Sequence, residues 1–310
     1  MSKFIVAGLT QIETIVKVNK IPIQYAPFLS LKDAIQTAAG GDAFNISLAL
    51  KWLGNDVEFM TVVGKLQNLG IFNPPDRRVS LSTDYVLPIM KETPTEVLIF
   101  DKQRRQQKFE DLKDIRDAEY DMTLLEPIIN DCDMVFLSNA NFCRSFIPYV
   151  KDYNKKLAVK IHQFEVEKEI YNEDFLKNAD ILYFSDNTIE DDPFEFIKST
   201  AAKYDPDIII LGQEAGGLIL YDRDREINVH FDPVKSVAVV NNAGSGNATF
   251  ACFLHYYLKS KDSVDAIRKA LIFASHKIGF LGTSYGFMTE EQLAQWENLI
   301  YNPRDVSRWI

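Results

Sequence analysis

The 310-residue sequence has little cysteine, no excess of basic residues and no long apolar run. Cys132, Cys143 and Cys252 include no C-x-x-C pair, which argues against a disulfide scaffold or a cysteine metal cage and predicts a reducing, cytoplasmic setting. The net charge of −10 argues against nucleic-acid and anionic-membrane partners, because both require basic surfaces. No apolar stretch reaches about 18 residues and no basic region precedes an apolar run at the N-terminus, so neither a membrane span nor a signal peptide is predicted.

Short apolar runs alternate with amphipathic segments of helical length. The runs DMVFLSNA, KLAVKIH, DILYFSD and DIIILGQ follow one another between residues 133 and 213, which indicates βαβ units and a parallel sheet. Two segments with strand-like alternation, near residues 13–38 and 92–110, are predicted to form a small β appendage. The sequence therefore predicts a single α/β domain over residues 1–310, with a doubly wound, mostly parallel sheet flanked by helices.

A glycine-containing loop precedes a predicted helix late in the chain. VKSVAVV, residues 234–240, has the composition of a strand; NNAGSG follows it, and an apolar-faced helix is predicted from Asn247. Gly244 and Gly246 permit a positive φ and a close approach of the main chain to a ligand. Because main-chain N–H groups and the helix dipole would then face an anion, the stretch is typical of a phosphate site.

Two other interpretations of this stretch were weighed against a phosphate site. An ordinary loop that ends in an asparagine N-cap would have the same composition, and this possibility stays open. A dinucleotide fingerprint, G-x-G-x-x-G, is nearly matched by GSGNAT, but Thr249 replaces the third glycine. That stretch also lies late in the chain, whereas the fingerprint belongs to an early βαβ unit, so the dinucleotide reading is disfavoured.

Glycines also precede a predicted helix early in the chain: Gly40 and Gly41 come before it, and Asn45 lies one turn into it. We call such a glycine turn at the start of a helix a glycine corner; one corner by itself is common. An early Gly-Gly-x-x-x-Asn helix and a late Gly-x-Gly helix on one α/β chain of this length, however, resemble the ribokinase-like carbohydrate kinase family, also called the PfkB family. The resemblance extends over nearly the whole chain and implies a ribokinase-like fold in which the β appendage is a lid.

The resemblance also implies a function and a set of site residues. Members transfer the γ-phosphoryl group of ATP to a hydroxymethyl group of a sugar or nucleoside. The implied substrate-binding residues are Glu13, Gly40, Gly41, Asp42 and Asn45. The residues implied to bind the nucleotide are Asn187, Gly212, Gly216, Gly217, Ala243 and Ser275, and Glu190 in NTIE is implied to help place Mg²⁺. Gly244, Ser245 and Gly246 are implied to form the anion hole, with Asn247 at the catalytic position.

The sequence departs from the family pattern at its aspartates. Asn247 stands at the catalytic aspartate, Asn241 at an earlier one and Glu13 at the aspartate that grips sugar hydroxyls, and GKL occupies 64–66 in place of Gly-Asp-Asp. An amide cannot accept the hydroxyl proton as a carboxylate does. The sequence thus predicts either a kinase with slow or altered chemistry, whose proton leaves through water or another carboxylate, or a non-catalytic sugar- and nucleotide-binding protein.

Several charged residues bear on the substrate and the assembly. Asp42 disfavours an anionic substrate, which predicts a neutral sugar or nucleoside. Arg104, Arg105 and Lys108 in the lid turn are more typical of a solvated face than of a binding site, and His162 is more typical of a structural histidine. Because exposed lid edges require covering, the sequence predicts a homodimer that forms through the lid.

Overall fold

The computed structural model describes residues 1–73, 78–103, 105–162 and 169–301, so Arg104 lies outside the described residues. The strands are β1 (Lys3–Ala7), β2 (Gln11–Val18), β3 (Ile35–Gly40), β4 (Asp56–Gly64), β5 (Val86–Met90), β6 (Thr95–Asp101), β7 (Gln106–Asp111), β8 (Met134–Ser138), β9 (Lys156–Lys160), β10 (Ile181–Ser185), β11 (Ile208–Gly212), β12 (Leu218–Asp222) and β13 (Ile227–Phe231). The α-helices are α1 (Asp42–Trp52), α2 (Glu126–Ile129), α3 (Phe146–Asp152), α4 (Glu169–Asn178), α5 (Pro193–Tyr204), α6 (Ser245–Ser260), α7 (Ser263–Lys277) and α8 (Glu290–Tyr301).

The large sheet has nine strands within the described residues, in the order β13-β12-β11-β10-β9-β8-β1-β4-β5. All neighbouring pairs from β11 to β5 are parallel, whereas β12 and β13 pair antiparallel at one edge. This arrangement confirms the predicted doubly wound, mostly parallel sheet flanked by helices. Among the described helices, none combines the length and apolarity that a membrane span requires.

Alternate side chains of each central strand enter two separate cores. Along β1, Phe4 and Val6 join the core beneath α1, α6 and α7, while Ile5 and Ala7 join the core on the opposite face. All four side chains are fully buried. Burial on both faces explains why these strands read as continuous apolar runs rather than as alternating ones.

The small sheet has the order β3-β2-β6-β7 and contains the two segments that the sequence analysis assigned to a lid. Its inner face contributes Ile15, Leu98 and Phe100 to a cluster with Ala243, which lies just before α6. The small sheet therefore packs directly on the loop that leads into the late glycine corner.

The structure differs from the sequence prediction at the segment 234–240 and at β5. Residues 234–240 form no strand; the segment instead lines a cavity, and the N–H of Val240 bonds to the carbonyl of Ile278 at 2.8 Å. Its residues are half-buried or exposed, so a short apolar run does not by itself identify a buried strand. The short edge strand β5 was not predicted.

Candidate active site

A cavity of about 830 Å³ lies at the carboxyl edge of the large sheet. Residues that follow β1, β9, β10 and β11 line it, including Leu9, His162, Asn187 and Glu214. Ligands of open α/β sheets bind in this position, outside the carboxyl ends of the strands. The cavity also receives both glycine corners, Gly41 before α1 and Gly244 before α6.

The cavity lining contains most of the residues that the family resemblance implied. Those at the cavity are Glu13, Gly41, Asp42, Asn45, Asn187, Gly212, Gly217, Ala243, Gly244, Ser245, Gly246, Asn247 and Ser275. Gly40, Gly216 and Glu190 are outside the lining. The roles of all these residues stay predictions, because position in a cavity does not identify a ligand.

The early corner requires glycine at both positions. Gly41 has a φ of 90°, and a Cβ there would lie 2.6 Å from the carbonyl oxygen of Leu9. A Cβ on Gly40 would collide with the carboxylate of Glu13. Gly40 therefore has a packing role, since it lets the Glu13 carboxylate approach the main chain, where it accepts a hydrogen bond from the Gly41 N–H at 2.8 Å.

Glu13 is a buried carboxylate held on several sides. It also accepts hydrogen bonds from the Thr283 hydroxyl and, at 3.3 Å, from the Gln11 amide. Burial and the nearby Glu96 carboxylate raise the pKa of Glu13, and the bonds from Thr283 and Gly41 only partly oppose them. Glu13 thus lines the cavity with much of its hydrogen-bonding capacity already used by the protein.

The late corner presents main-chain groups. Gly244 caps α6 in the left-handed conformation with φ 77°, and a Cβ there would lie 2.6 Å from the carbonyl oxygen of Thr283. A Cβ on Gly246 would lie 2.9 Å from the Tyr183 hydroxyl. The first N–H groups of a helix have no partner within it, so the 16-residue α6 offers donors and a dipole to an anion in the cavity.

The carbonyl side of this loop is held by a buried lysine. The Lys277 ammonium, fully buried, donates hydrogen bonds to the carbonyl oxygens of Ala243 and, at 2.6 Å, of Gly282. Burial lowers the pKa of Lys277 to about 7, with the Glu13 carboxylate opposing it. In addition, Asn241 accepts a hydrogen bond from the Ala243 N–H at 2.7 Å. The Ser245 N–H is likewise engaged, by the carbonyl of Asn242 at 3.1 Å. Protein contacts thus fix the loop, and the N–H groups that remain for a ligand are those at Gly244, Gly246 and Asn247.

Asp42 and Asn247 meet where the two corners face each other. Asp42 is buried and accepts a hydrogen bond from the Lys160 ammonium at 2.7 Å, and its Oδ2 lies 3.9 Å from Nδ1 of His162. Burial alone would raise the pKa of Asp42, but Lys160, His162 and the side chain of Asn247 together lower it. Lys160 offsets the charge of Asp42, and the neutral substrate inferred from Asp42 stays a prediction.

The residues predicted to bind a nucleotide line the cavity together with the irregular segment 233–240. They include Asn187, Gly212 and Gly217. The Ser275 hydroxyl lies 2.6 Å from the Ser236 hydroxyl and donates to the carbonyl of Ile272 at 2.7 Å, so protein partners already engage it.

The cavity lining includes polar residues that the sequence did not indicate, among them Lys160, Tyr183, Thr283 and, from the lid, Glu96. Lys160 ends a buried strand, and a charge at that position was an available signal. Burial raises the pKa of Tyr183, so its hydroxyl stays protonated between Gly212 and Gly246. Thr283 follows α7 in an irregular loop, where no pattern distinguishes it.

The lid residues and His162 have the following contacts. Arg105 pairs at 2.7 Å with the buried carboxylate of Asp101 on the lid itself. Lys108 lines the cavity, 3.3 Å from Glu96. His162 also lines the cavity and bonds to Glu110 at 3.1 Å, and its role stays a prediction.

The two sheets and the cavity define a ribokinase-like fold, and solved structures of that fold superpose on the chain. A microbiome-derived acarbose kinase does so with a TM-score of 0.79 at 19% identity, over 95% of this chain and 98% of the kinase. The ribokinase of Arabidopsis thaliana, solved with ribose and ATP, gives 0.77 at 16% identity, over 96% and 99%. The resemblance to the ribokinase-like (PfkB) kinases is thereby confirmed at the level of the fold.

Sequence similarity is more limited. The deoxyribokinases of Salmonella typhi and Salmonella typhimurium are 33% identical to this chain over 92 residues. That region is 30% of this chain and 28% of theirs, so the match spans less than a third of either protein. No protein-family model matches the sequence.

Proposed function

We propose that the protein is an ATP-dependent kinase that transfers a phosphoryl group to the hydroxymethyl group of a sugar or nucleoside. The proposal rests on two glycine corners of different chemistry that line one cavity. We call the late corner, Gly244–Asn247, the α6 corner, and the early one, Gly40–Asp42 with the neighbouring side chains, the α1 corner. The α6 corner offers main-chain N–H groups, which suit phosphate. The α1 corner offers Glu13, Asp42 and Asn45, which suit hydroxyl groups.

ATP fits the larger part of the cavity. Its γ-phosphate would lie at Gly244–Asn247, with the rest of the nucleotide running past Gly212 and Gly217 toward Ser275. A volume of about 830 Å³ suits a nucleotide together with a small acceptor. ATP bound to the solved Arabidopsis ribokinase, whose fold this chain shares, supports the same assignment.

Mg²⁺ would be held mainly by phosphate oxygens. Within the described ranges no three histidine, cysteine or carboxylate side chains converge on a point, which suits a magnesium ion that takes one or two protein ligands and several phosphate or water oxygens. Glu190 lies outside the cavity lining, whereas Asn187 lies within it. Bound Mg²⁺ would supply charge neutralisation at the phosphates.

A non-catalytic binding protein is the second candidate, and Asn247 is the observation that favours it. Its amide lies in the first turn of α6, where the family resemblance implies a proton acceptor. Its Oδ1 accepts no hydrogen bond among the described residues. The same cavity would then bind a sugar and a nucleotide without turnover.

The deciding experiment measures ADP release with MgATP and a panel of monosaccharides and nucleosides that includes D-ribose and 2-deoxy-D-ribose. The kinase proposal expects ADP release that depends on one class of acceptor. Stabilisation against thermal unfolding by both an acceptor and a non-hydrolysable ATP analogue, without ADP release, would establish the binding protein instead.

The lid is proposed as a homodimer surface. Val97 and Phe109 lie opposite each other on β6 and β7, are 36% and 52% exposed, and point away from the inner residues Leu98 and Lys108. Ile35 on β3 is 64% exposed. An apolar outer face on a four-stranded sheet is suited to pairing with a second copy.

A reducing compartment, the cytoplasm, is proposed as the location. All three cysteines are free and buried, and burial raises the pKa of Cys132 to about 11. Buried thiols of this kind require no oxidising environment, and the cytoplasm supplies the ATP that the proposed reaction consumes.

A further inference from the structure

Asp42 is a buried carboxylate beside the amide that occupies the catalytic position. We propose that Asp42 accepts the proton of the attacking hydroxyl group, so that the proton acceptor of this protein stands at the start of α1 rather than at the start of α6. The proposal rests on the kinase activity proposed above and deepens it, because it names the group that replaces the missing carboxylate.

The position of Asp42 satisfies the geometric requirement. It is the first residue of α1, immediately after the sharp turn at Gly41, and it lines the cavity together with Asn247. The Asn247 side chain lies close enough to contribute to lowering the pKa of Asp42, although neither Oδ1 of Asn247 nor Oδ2 of Asp42 accepts a well-formed hydrogen bond from the described residues. Both oxygens are buried, so in this proposal the acceptor hydroxyl takes the place beside Oδ2 of Asp42 that the Asn247 side chain borders.

The charge state of Asp42 is also suitable. Lys160 holds Oδ1 at 2.7 Å and keeps the carboxylate ionised, while Oδ2 is buried without a well-formed hydrogen bond, 3.9 Å from Nδ1 of His162. Buried polar atoms are rarely left without a partner, so an unpaired carboxylate oxygen on a residue that lines the cavity calls for one. A hydroxyl group can donate to such an oxygen, whereas an unprotonated phosphate oxygen has no proton to donate.

The proposed step balances as follows. The acceptor oxygen forms a bond to the γ-phosphorus while its proton passes to Oδ2 of Asp42, and the bond between the γ-phosphorus and the β–γ bridging oxygen breaks to release ADP. The proton then leaves Asp42 for solvent as product departs. Because phosphoryl transfer depends mostly on positioning and charge neutralisation, a carboxylate of lowered pKa suffices as acceptor.

A reciprocal rescue tests the proposal. Asp42→Asn should lower kcat by roughly 10²–10⁴-fold, the usual range for a general base, with KM for the acceptor changed by less than about tenfold. Adding Asn247→Asp to Asp42→Asn should raise kcat at least tenfold above that of Asp42→Asn alone, since it places a carboxylate on the opposite side of the same cleft. D-ribose, 2-deoxy-D-ribose and the best acceptor of the panel serve as substrates, with ADP release as the readout.

Two further variants keep the test interpretable. Asp222→Asn removes a buried carboxylate on β12 that accepts from Ser263 outside the cavity, and it controls for the general effect of such a change; its kcat should stay unchanged. If Asp42→Asn unfolds because Lys160 is left unpaired, Asp42→Asn with Lys160→Met is the charge-balanced background in which Asn247→Asp is added.

The outcomes separate this proposal from the proposed function. A variant Asp42→Asn that keeps kcat within about threefold would overturn the role of Asp42 and leave the kinase intact. The role of Asp42 would also be overturned if Asp42→Asn loses kcat and adding Asn247→Asp does not restore it, while both variants still bind the acceptor and the ATP analogue. The same conclusion would follow if only chains with Asn247→Asp show activity. Absence of turnover from both the unmodified chain and Asn247→Asp, with every acceptor, would overturn the kinase itself and this proposal with it.

Discussion

The two glycine corners of the cavity differ in how they present polar groups. The α1 corner uses charged side chains, with Asp42 paired to Lys160 and Glu13 buried against Gly40. The α6 corner uses main-chain N–H groups, and its positions 241 and 247 carry amides. The proposed phosphate-binding main chain is thus retained at one corner, while the carboxylates lie at the other.

The difference has a physical basis. Main-chain donors at a helix N-terminus bind phosphate whatever the side chains are, provided that glycine permits the turn. Proton transfer depends instead on one basic oxygen within reach of the hydroxyl, and that oxygen can come from either wall of the cavity. The side-chain half of such a site is therefore freer to change than the main-chain half.

The largest expected effect comes from breaking the charge pair of the α1 corner. Lys160→Met should destabilise the protein by about 3–5 kcal/mol, because it leaves Asp42 buried without a cation. Lys177→Met, which removes an exposed pair with Glu173, should cost less than about 1 kcal/mol. Chemical denaturation of both variants measures this; equal losses would mean that the Lys160–Asp42 pair behaves as a surface pair.

The buried Lys277 beneath the α6 corner should make the free energy of unfolding depend on pH. Since the pKa of Lys277 is about 7 in the folded protein and higher when unfolded, the unfolded chain binds more protons above pH 7. The contribution of Lys277 to the free energy of unfolding should then increase with pH, by on the order of 1.4 kcal/mol per unit at most.

Comparison with Lys277→Met isolates this contribution. The difference in unfolding free energy between the unmodified chain and the variant should grow in favour of the unmodified chain from pH 7 to 9. A difference that is flat or that shrinks over this range would show that Lys277 keeps its charge, held by the carbonyls of Ala243 and Gly282 and by Glu13.

A smaller effect is expected from crowding the α6 corner. Gly246→Ala places a Cβ 2.9 Å from the Tyr183 hydroxyl and should weaken binding of a non-hydrolysable ATP analogue about tenfold, or 1.4 kcal/mol, with acceptor binding little changed. Tyr183→Phe in the same chain removes that hydroxyl and should recover part of the affinity. Calorimetry measures both, and equal weakening of both ligands would contradict a division of the cavity into two ends.

The lid substitution should affect the cavity least. Phe109→Asp introduces a charge on the exposed outer face of the small sheet and should convert a dimer to a monomer, as measured by light scattering. Glu226→Lys, on the β12–β13 turn of the large sheet, serves as the surface control. A monomer in the unmodified chain would remove the dimer proposal.

The sequence predicted the large sheet and the glycine corners well, because both depend on local patterns. Buried parallel strands such as β1 and β10 have continuous apolar runs, and helix N-termini have recognisable glycines. The segment 234–240 was mispredicted because a cavity-lining loop can have the same apolar composition as a strand, although its residues are half-buried or exposed. Lys160 and Thr283 were missed because they reach the site from elements distant in sequence, and only tertiary structure brings them to Asp42 and Glu13.

The claim that one cavity joins a phosphate donor to a hydroxyl acceptor is tested most directly by product identification. The protein is incubated with MgATP and the acceptor that stabilises it most, and the acceptor is then weighed by mass spectrometry. We expect an acceptor heavier by one phosphoryl group, formed in equal amount to ADP. An unchanged acceptor, with ATP intact and both ligands shown to bind, would contradict it.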